Sequence, residues 1–178
     1  MRQFTKVALV FIALVVLTAS NAMAVTPDFN ARSQVYIKNN AVALDQFSKK
    51  VSNFVSEMAV SPNSIAPPVT SLEFTGVLSS MSQTWEEIQA NQYITIQDHG
   101  GAEMYLEVVT IGYGIDNAKM NSVNMPRIAT YSLTGSDSIV YGFINYYDAS
   151  GTQNGSATVQ SISQNYPNNT MTDSLTVQ

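Results

Sequence analysis

The apolar positions change period once along the chain, and that change predicts the architecture. From Ala31 to Val60 they recur every three or four residues, at Ile37, Ala41, Leu44, Phe47, Val51, Phe54 or Val55, and Met58. This spacing places them on one face of a helix over residues 31–60, expected to attach to a sheet through Leu44, Phe47, Val51, Phe54 and Val55. Asp45 and Lys49 form an i,i+4 pair on another face. Pro62 ends the segment, and Pro62, Pro67 and Pro68 stiffen the connector that follows. Thr70-Ser71-Leu72-Glu73 matches a capping box, with a side-chain oxygen for the amide at 73 and a carboxylate reaching back. Leu72, Val77 or Leu78, Met81, Trp85 and Ile88 extend it as a second amphipathic helix over residues 71–90.

After residue 90 the period falls to two. Ile94 and Ile96 share one face of Tyr93 to Gln97, and Asp98-His99-Gly100-Gly101 reads as a turn. Ala102, Met104, Leu106 and Val108 then alternate with Glu103, Tyr105 and Glu107, which completes a hairpin. Residues 112–127 are rich in Gly, Asn and Met and read as irregular. Four more strands follow, at residues 128–133, 138–147, 156–163 and 171–177, separated by turn residues. The expected fold is α+β: two N-terminal amphipathic helices on one face of an antiparallel sheet of about five to six strands. Residues 25–178 are expected to form a single domain.

The first 24 residues predict export. Arg2 and Lys6 precede a twelve-residue apolar run from Val7 to Thr18, and Ala22-Met23-Ala24 supplies the small-x-small pattern for cleavage before Val25. The run is shorter than the roughly 20 residues a spanning helix needs. The processed protein is expected in the periplasm or outside the cell.

Composition narrows the chemistry. Only 12% of residues are charged, and Ser, Thr, Asn and Gln make up 61 of the 178. Without cysteine there is no disulfide, thiolate metal site or cysteine nucleophile, and one histidine excludes any site needing two. The net charge of −5 argues against nucleic acid and anionic membranes. No Lys or Arg occurs between residues 51 and 118, a span that contains eight acidic residues. Glu86 and Glu87 are adjacent on the expected helix and diverge by about 100°. Glu103 and Glu107 lie roughly 13 Å apart along a strand, too far for a retaining carboxylate pair. No nucleophile elbow, phosphate loop or zincin motif is present.

The strand at 138–147 is apolar on both faces, which suits a central strand covered on both sides, or one whose open face binds something. Eight of the nine tyrosines lie after residue 90, and tyrosine favours both strands and interfaces. The candidate interaction residues are Tyr105, Tyr141, Tyr146 and Tyr147, with Asp98 and His99 at an exposed hairpin tip. His99 is expected to be non-catalytic, and no cofactor or metal is expected. The sequence thus predicts an exported, non-enzymatic interaction module, possible as a self-assembling subunit through the strand at 171–177. A small-ligand binder is the alternative, and an enzyme using a carboxylate or serine is the third.

Overall fold

The computed structural model describes residues 24–58, 66–135, 138–165 and 168–178. Within them lie two helices and two antiparallel sheets of five and four strands, so the chain is α+β with strands dominating. The expected leader falls outside the described residues, apart from Ala24.

The first expected helix is two. α1 (Phe29–Asn39) starts at Asp28, whose carboxylate accepts from Ala31 N at 3.0 Å. Asn40 ends it: the Asn40 backbone N–H and its Nδ2 both donate to Tyr36 O, at 3.0 and 2.9 Å. α2 (Ala41–Met58) follows directly. Leu44 is buried against the sheet and Phe47 packs beside it. The side chains of Val51, Phe54 and Val55, also expected in that contact, lie outside the described part.

The second expected helix is not a helix. Residues 71–90 form β1 (Ser71–Ser79), a turn, and β2 (Glu86–Glu87). β1 pairs antiparallel with β3 (Met104–Ile111), and their register shifts between Phe74 and Gly76. The shift leaves Thr75 as an extra residue, a β-bulge that switches which parity faces the core. Leu72, Phe74 and Val77 therefore enter one core at a spacing that imitates a helix. The capping-box match is accidental, since Ser71 Oγ instead donates to Glu73 Oε1 at 3.0 Å.

The expected hairpin of 93–97 with 102–108 is also absent. Ile94 makes only an isolated parallel bridge to Thr176. The residues expected to be irregular hold β4 (Gly114–Met120) and β5 (Val123–Asn124). Asn121 and Ser122 join them with φ of 49° and 71°, the two positive values of a tight primed turn. The remaining strands fall where alternation places them: β6 (Arg127–Thr134), β7 (Val140–Asp148), β8 (Gly155–Ser163) and β9 (Thr170–Val177).

The single expected sheet is therefore two, in the orders β2-β1-β3-β7-β6 and β5-β4-β8-β9. One core lies between them, built from Val77, Met104, Leu106, Val108, Met120, Tyr147, Val159 and Leu175 among others. A second core joins the outer face of the five-stranded sheet to the helices, through Leu44, Val109, Ile111, Ile144 and Tyr146 with Phe29, Tyr36 and Trp85. β9 is an edge strand, and the segment beside it closes one end: Thr176 N donates to Tyr93 O at 2.8 Å and Thr95 N to Thr176 O at 2.9 Å. That leaves less of this edge for adding a neighbour's strand.

Candidate functional site

Three polar constellations stand out, each placed by strand alternation. The first lies under α1. Arg32 is buried between α1 and the five-stranded sheet, where its Nε donates to Glu107 Oε2 at 2.8 Å and its Nη2 to Glu107 Oε1 at 3.1 Å. The other edge of the guanidinium pairs with Glu87, at 2.9 Å from Nη2 to Oε2 and through Nη1 to Oε1. Glu107 also accepts from Thr75 Oγ1 and from the Tyr146 hydroxyl, each at 2.8 Å. Ser33 Oγ lies 2.8 Å from that hydroxyl, and the guanidinium carbon sits 4.9 Å from the centre of the Trp85 ring. Burial lowers the Arg32 pKa, but the two carboxylates outweigh it and hold the guanidinium above its ordinary value. Burial, then Glu107, pushes the Tyr146 hydroxyl up. Gly76 makes the room: a Cβ there would stand 2.8 Å from Arg32 Nη2 and 3.1 Å from Trp85. Gly76→Ala is expected to cost about 1–2 kcal/mol by overpacking. Much of that cost should vanish in an Arg32→Ala background, a coupling that a double-mutant cycle measures.

The second constellation is on the opposite face of β2. Glu86 Oε1 accepts from Ile96 N at 2.7 Å and Gln92 Nε2 at 2.9 Å, and Oε2 accepts from Gln97 N at 2.8 Å. His99 Nε2 lies 3.0 Å from the same Oε2. Burial alone would raise the Glu86 pKa, but these partners, backbone N–H groups first, hold it below the usual carboxylate range. His99 is fully buried, not exposed at a hairpin tip. Gly101, at φ +93°, brings the chain against the end of β1, where a Cβ would stand 2.2 Å from Ser80 Oγ. That approach folds His99 inward.

The third is a cleft of about 350 Å³ where β4 diverges from β6 and β7, lined by Thr110, Tyr113, Asp116, Arg127, Phe143 and Asn145 among others. Asp116 Oδ2 accepts from Thr110 Oγ1 at 2.9 Å and Asn145 Nδ2 at 2.8 Å. Thr130 Oγ1 donates to Asn145 Oδ1 at 2.8 Å, which fixes the amide. Asp116 Oδ1 is buried and has no partner among the described residues. Tyr113 and Phe143 meet edge to face at 5.3 Å.

The tyrosines expected at an interface are mostly interior. Tyr141 and Tyr146 lie in the helix-side core and Tyr147 in the core between the sheets. Tyr105 is half-buried and stacks edge-on with Phe29 at 5.6 Å. Asp98 is exposed, with Asn154 Nδ2 3.5 Å away. The structure therefore does not gather these six residues into one surface. Tyr146 joins the polar cluster around Arg32 and His99 the one around Glu86, and Arg32, Glu107, Asp116 and Asn145 are the residues that sequence reasoning missed. A signal for one existed: Glu107 shares strand parity with Val109 and Ile111, so a carboxylate stands where the pattern demands an apolar residue.

The model of a family described as Domain of unknown function (DUF4879) matches residues 59–177, more than half of the chain. The chain belongs to the DUF4879 family. No curated protein and no solved structure matches it. The DUF4879 span holds all nine strands of the two sheets, together with Glu86, His99, Glu87, Glu107 and the Asp116 cleft. Both helices precede it. Arg32 thus reaches the carboxylates of the DUF4879 span from outside it.

Proposed function

We propose that this DUF4879 protein is an exported, non-enzymatic binding module, and that the cleft at Asp116 takes a small hydroxyl-rich ligand such as a sugar ring. The observation that carries the reading is Asp116, a lining residue of a cleft that also presents a cation, whose Oδ1 is buried without a partner among the described residues. A buried acceptor left unpaired costs about 1–3 kcal/mol, and a ligand hydroxyl would relieve that cost. Arg127 and Asn145 offer polar groups for further hydroxyls, and Tyr113 and Phe143 offer apolar surface for a ring's C–H face.

The two buried glutamates among the described residues are committed elsewhere, which favours binding over catalysis. Glu86 is tied to three N–H groups and His99, and Glu107 to Arg32, Thr75 and Tyr146. Export is supported by the charged start, the apolar run and the small-x-small site of residues 1–24. The acidic balance favours a neutral or hydroxylated ligand over a phosphate-rich one.

Titration calorimetry of the protein against mono- and oligosaccharides checks the reading. Saturable binding is expected, with Asp116→Asn weakening it at least tenfold, about 1.4 kcal/mol. Binding that Asp116→Asn leaves unchanged, or none across the panel, would sink the cleft as the site.

A further inference from the structure

Just ahead of α1 the backbone lies against a carboxylate. The backbone nitrogen of Val25 lies 2.6 Å from Glu103 Oε2 in a half-buried contact, and Ala24 before it is exposed. Val25 is also the residue that the Ala22-Met23-Ala24 pattern would make the first of the processed chain. A sequence signal and an unrelated contact meet at one atom.

We propose that Glu103 is the receptor for the α-ammonium that leader cleavage releases at Val25, so that processing completes an ion pair the precursor cannot make. The inference rests on the reading of residues 1–24 as a cleaved leader. Hydrolysis of the Ala24–Val25 peptide bond consumes one water. Ala24 leaves with a carboxylate, and the Val25 nitrogen becomes an amine that binds a proton at neutral pH. One neutral N–H donor thereby becomes a cation with three donors. Hydrogen bonds between ionised partners are shorter and roughly twice as strong as neutral ones.

The surroundings suit a cation. Glu103 precedes β3, where burial, then Glu103 and Asp148, raise the pKa of the Tyr105 hydroxyl. Asp148 is the register partner of Tyr105 on β7, so a second carboxylate shares the face that carries this hydroxyl. Among the described residues, no Lys or Arg forms an ion pair with either. Asp28 nearby is turned to its own task, capping α1 through Ala31 N. The Glu103 backbone is held by the end of β1, with Ser80 N donating to Glu103 O at 2.9 Å. Phe29 on Tyr105 anchors the incoming segment four residues on. The α-ammonium of a chain beginning at Val25 supplies the positive charge this corner lacks, and a retained leader leaves it uncompensated.

The test compares three full-length mature proteins: one beginning at Val25, one retaining Ala24 as an extra residue, and a Glu103→Gln variant beginning at Val25. The α-amine is titrated by its labelling rate with an amine-reactive reagent across pH 6 to 10, read by peptide mass spectrometry. In the first protein the amine is expected to titrate above the ordinary range of about 7.7–8.0. Its labelling at pH 7.5 is expected to be about tenfold slower than in Glu103→Gln, the equivalent of one pKa unit. The protein retaining Ala24 is expected to label at the ordinary rate and to melt at a lower temperature than the one beginning at Val25. Equal titration in all three overturns the receptor role of Glu103. The intact mass of protein from its native envelope is read separately. A first residue other than Val25 overturns the leader reading, whatever the labelling gives.

Discussion

Replacing Arg32 with alanine is expected to lower the unfolding free energy by about 3–5 kcal/mol, the cost of leaving one member of a buried ion pair without the other. Glu107 is fully buried and would keep only Thr75 and Tyr146 as partners. Glu87 is half-exposed, so its share of the loss is small. Arg32→Lys should recover little, because a point-like ammonium cannot reproduce the fork that engages both carboxylates. Removing the charge from both sides, as Arg32→Met with Glu107→Leu, should come back close to wild type. Denaturant midpoints at constant slope measure all four proteins. A loss below about 1 kcal/mol for Arg32→Ala would show that α1 does not depend on this contact.

The second large effect belongs to Glu86. Glu86→Ala strands Ile96 N, Gln97 N and the ring nitrogen of His99, whose Nδ1 already has no partner among the described residues. Each buried donor left unsatisfied costs about 1–3 kcal/mol, so a total near 3 kcal/mol is expected after water reaches some of them. The sign of the pH dependence follows from the direction of the shift. The folded-state pKa of Glu86 is lowered, below an unfolded value of about 4.3. Its contribution is therefore complete above the unfolded value and disappears as pH falls through the folded one. Unfolding measured at pH 7, 5, 4 and 3 should show a declining acid limb that is shallower in Glu86→Gln. An acid limb as steep in the variant would assign the decline to other carboxylates.

β8 and β9 were legible because they alternate without interruption. In β8 the buried residues are Ala157, Val159, Ser161 and Ser163, every second one, and in β9 they are Leu175 and Val177. β1 was misread for a local reason: the bulge at Thr75 breaks its parity, and a broken period of two resembles a period of three to four. β4 was hidden by a polar sequence, with Asp116, Asn117 and Lys119 in a strand whose turn uses Asn-Ser rather than Asn-Gly. His99 was misplaced because Gly100-Gly101 is also a hairpin signal, and only the three-dimensional approach of Ser80 reveals its other use. The cleft could not be read in advance. Thr110, Asp116, Thr130 and Asn145 come from four strands of two sheets, and no spacing in the chain brings them together.

β2 is only two residues long, and its two glutamates serve opposite layers. Glu86 reaches back to His99 and Glu87 forward to Arg32. The turn before it, residues 80–85, therefore behaves as a ruler. Insertion or deletion of one residue there would turn each carboxylate to the other side of the sheet. His99 would lose its carboxylate and Arg32 would be left with Glu107 alone, although no residue that touches them had been substituted. Length variation that surface loops usually tolerate should be excluded from this turn.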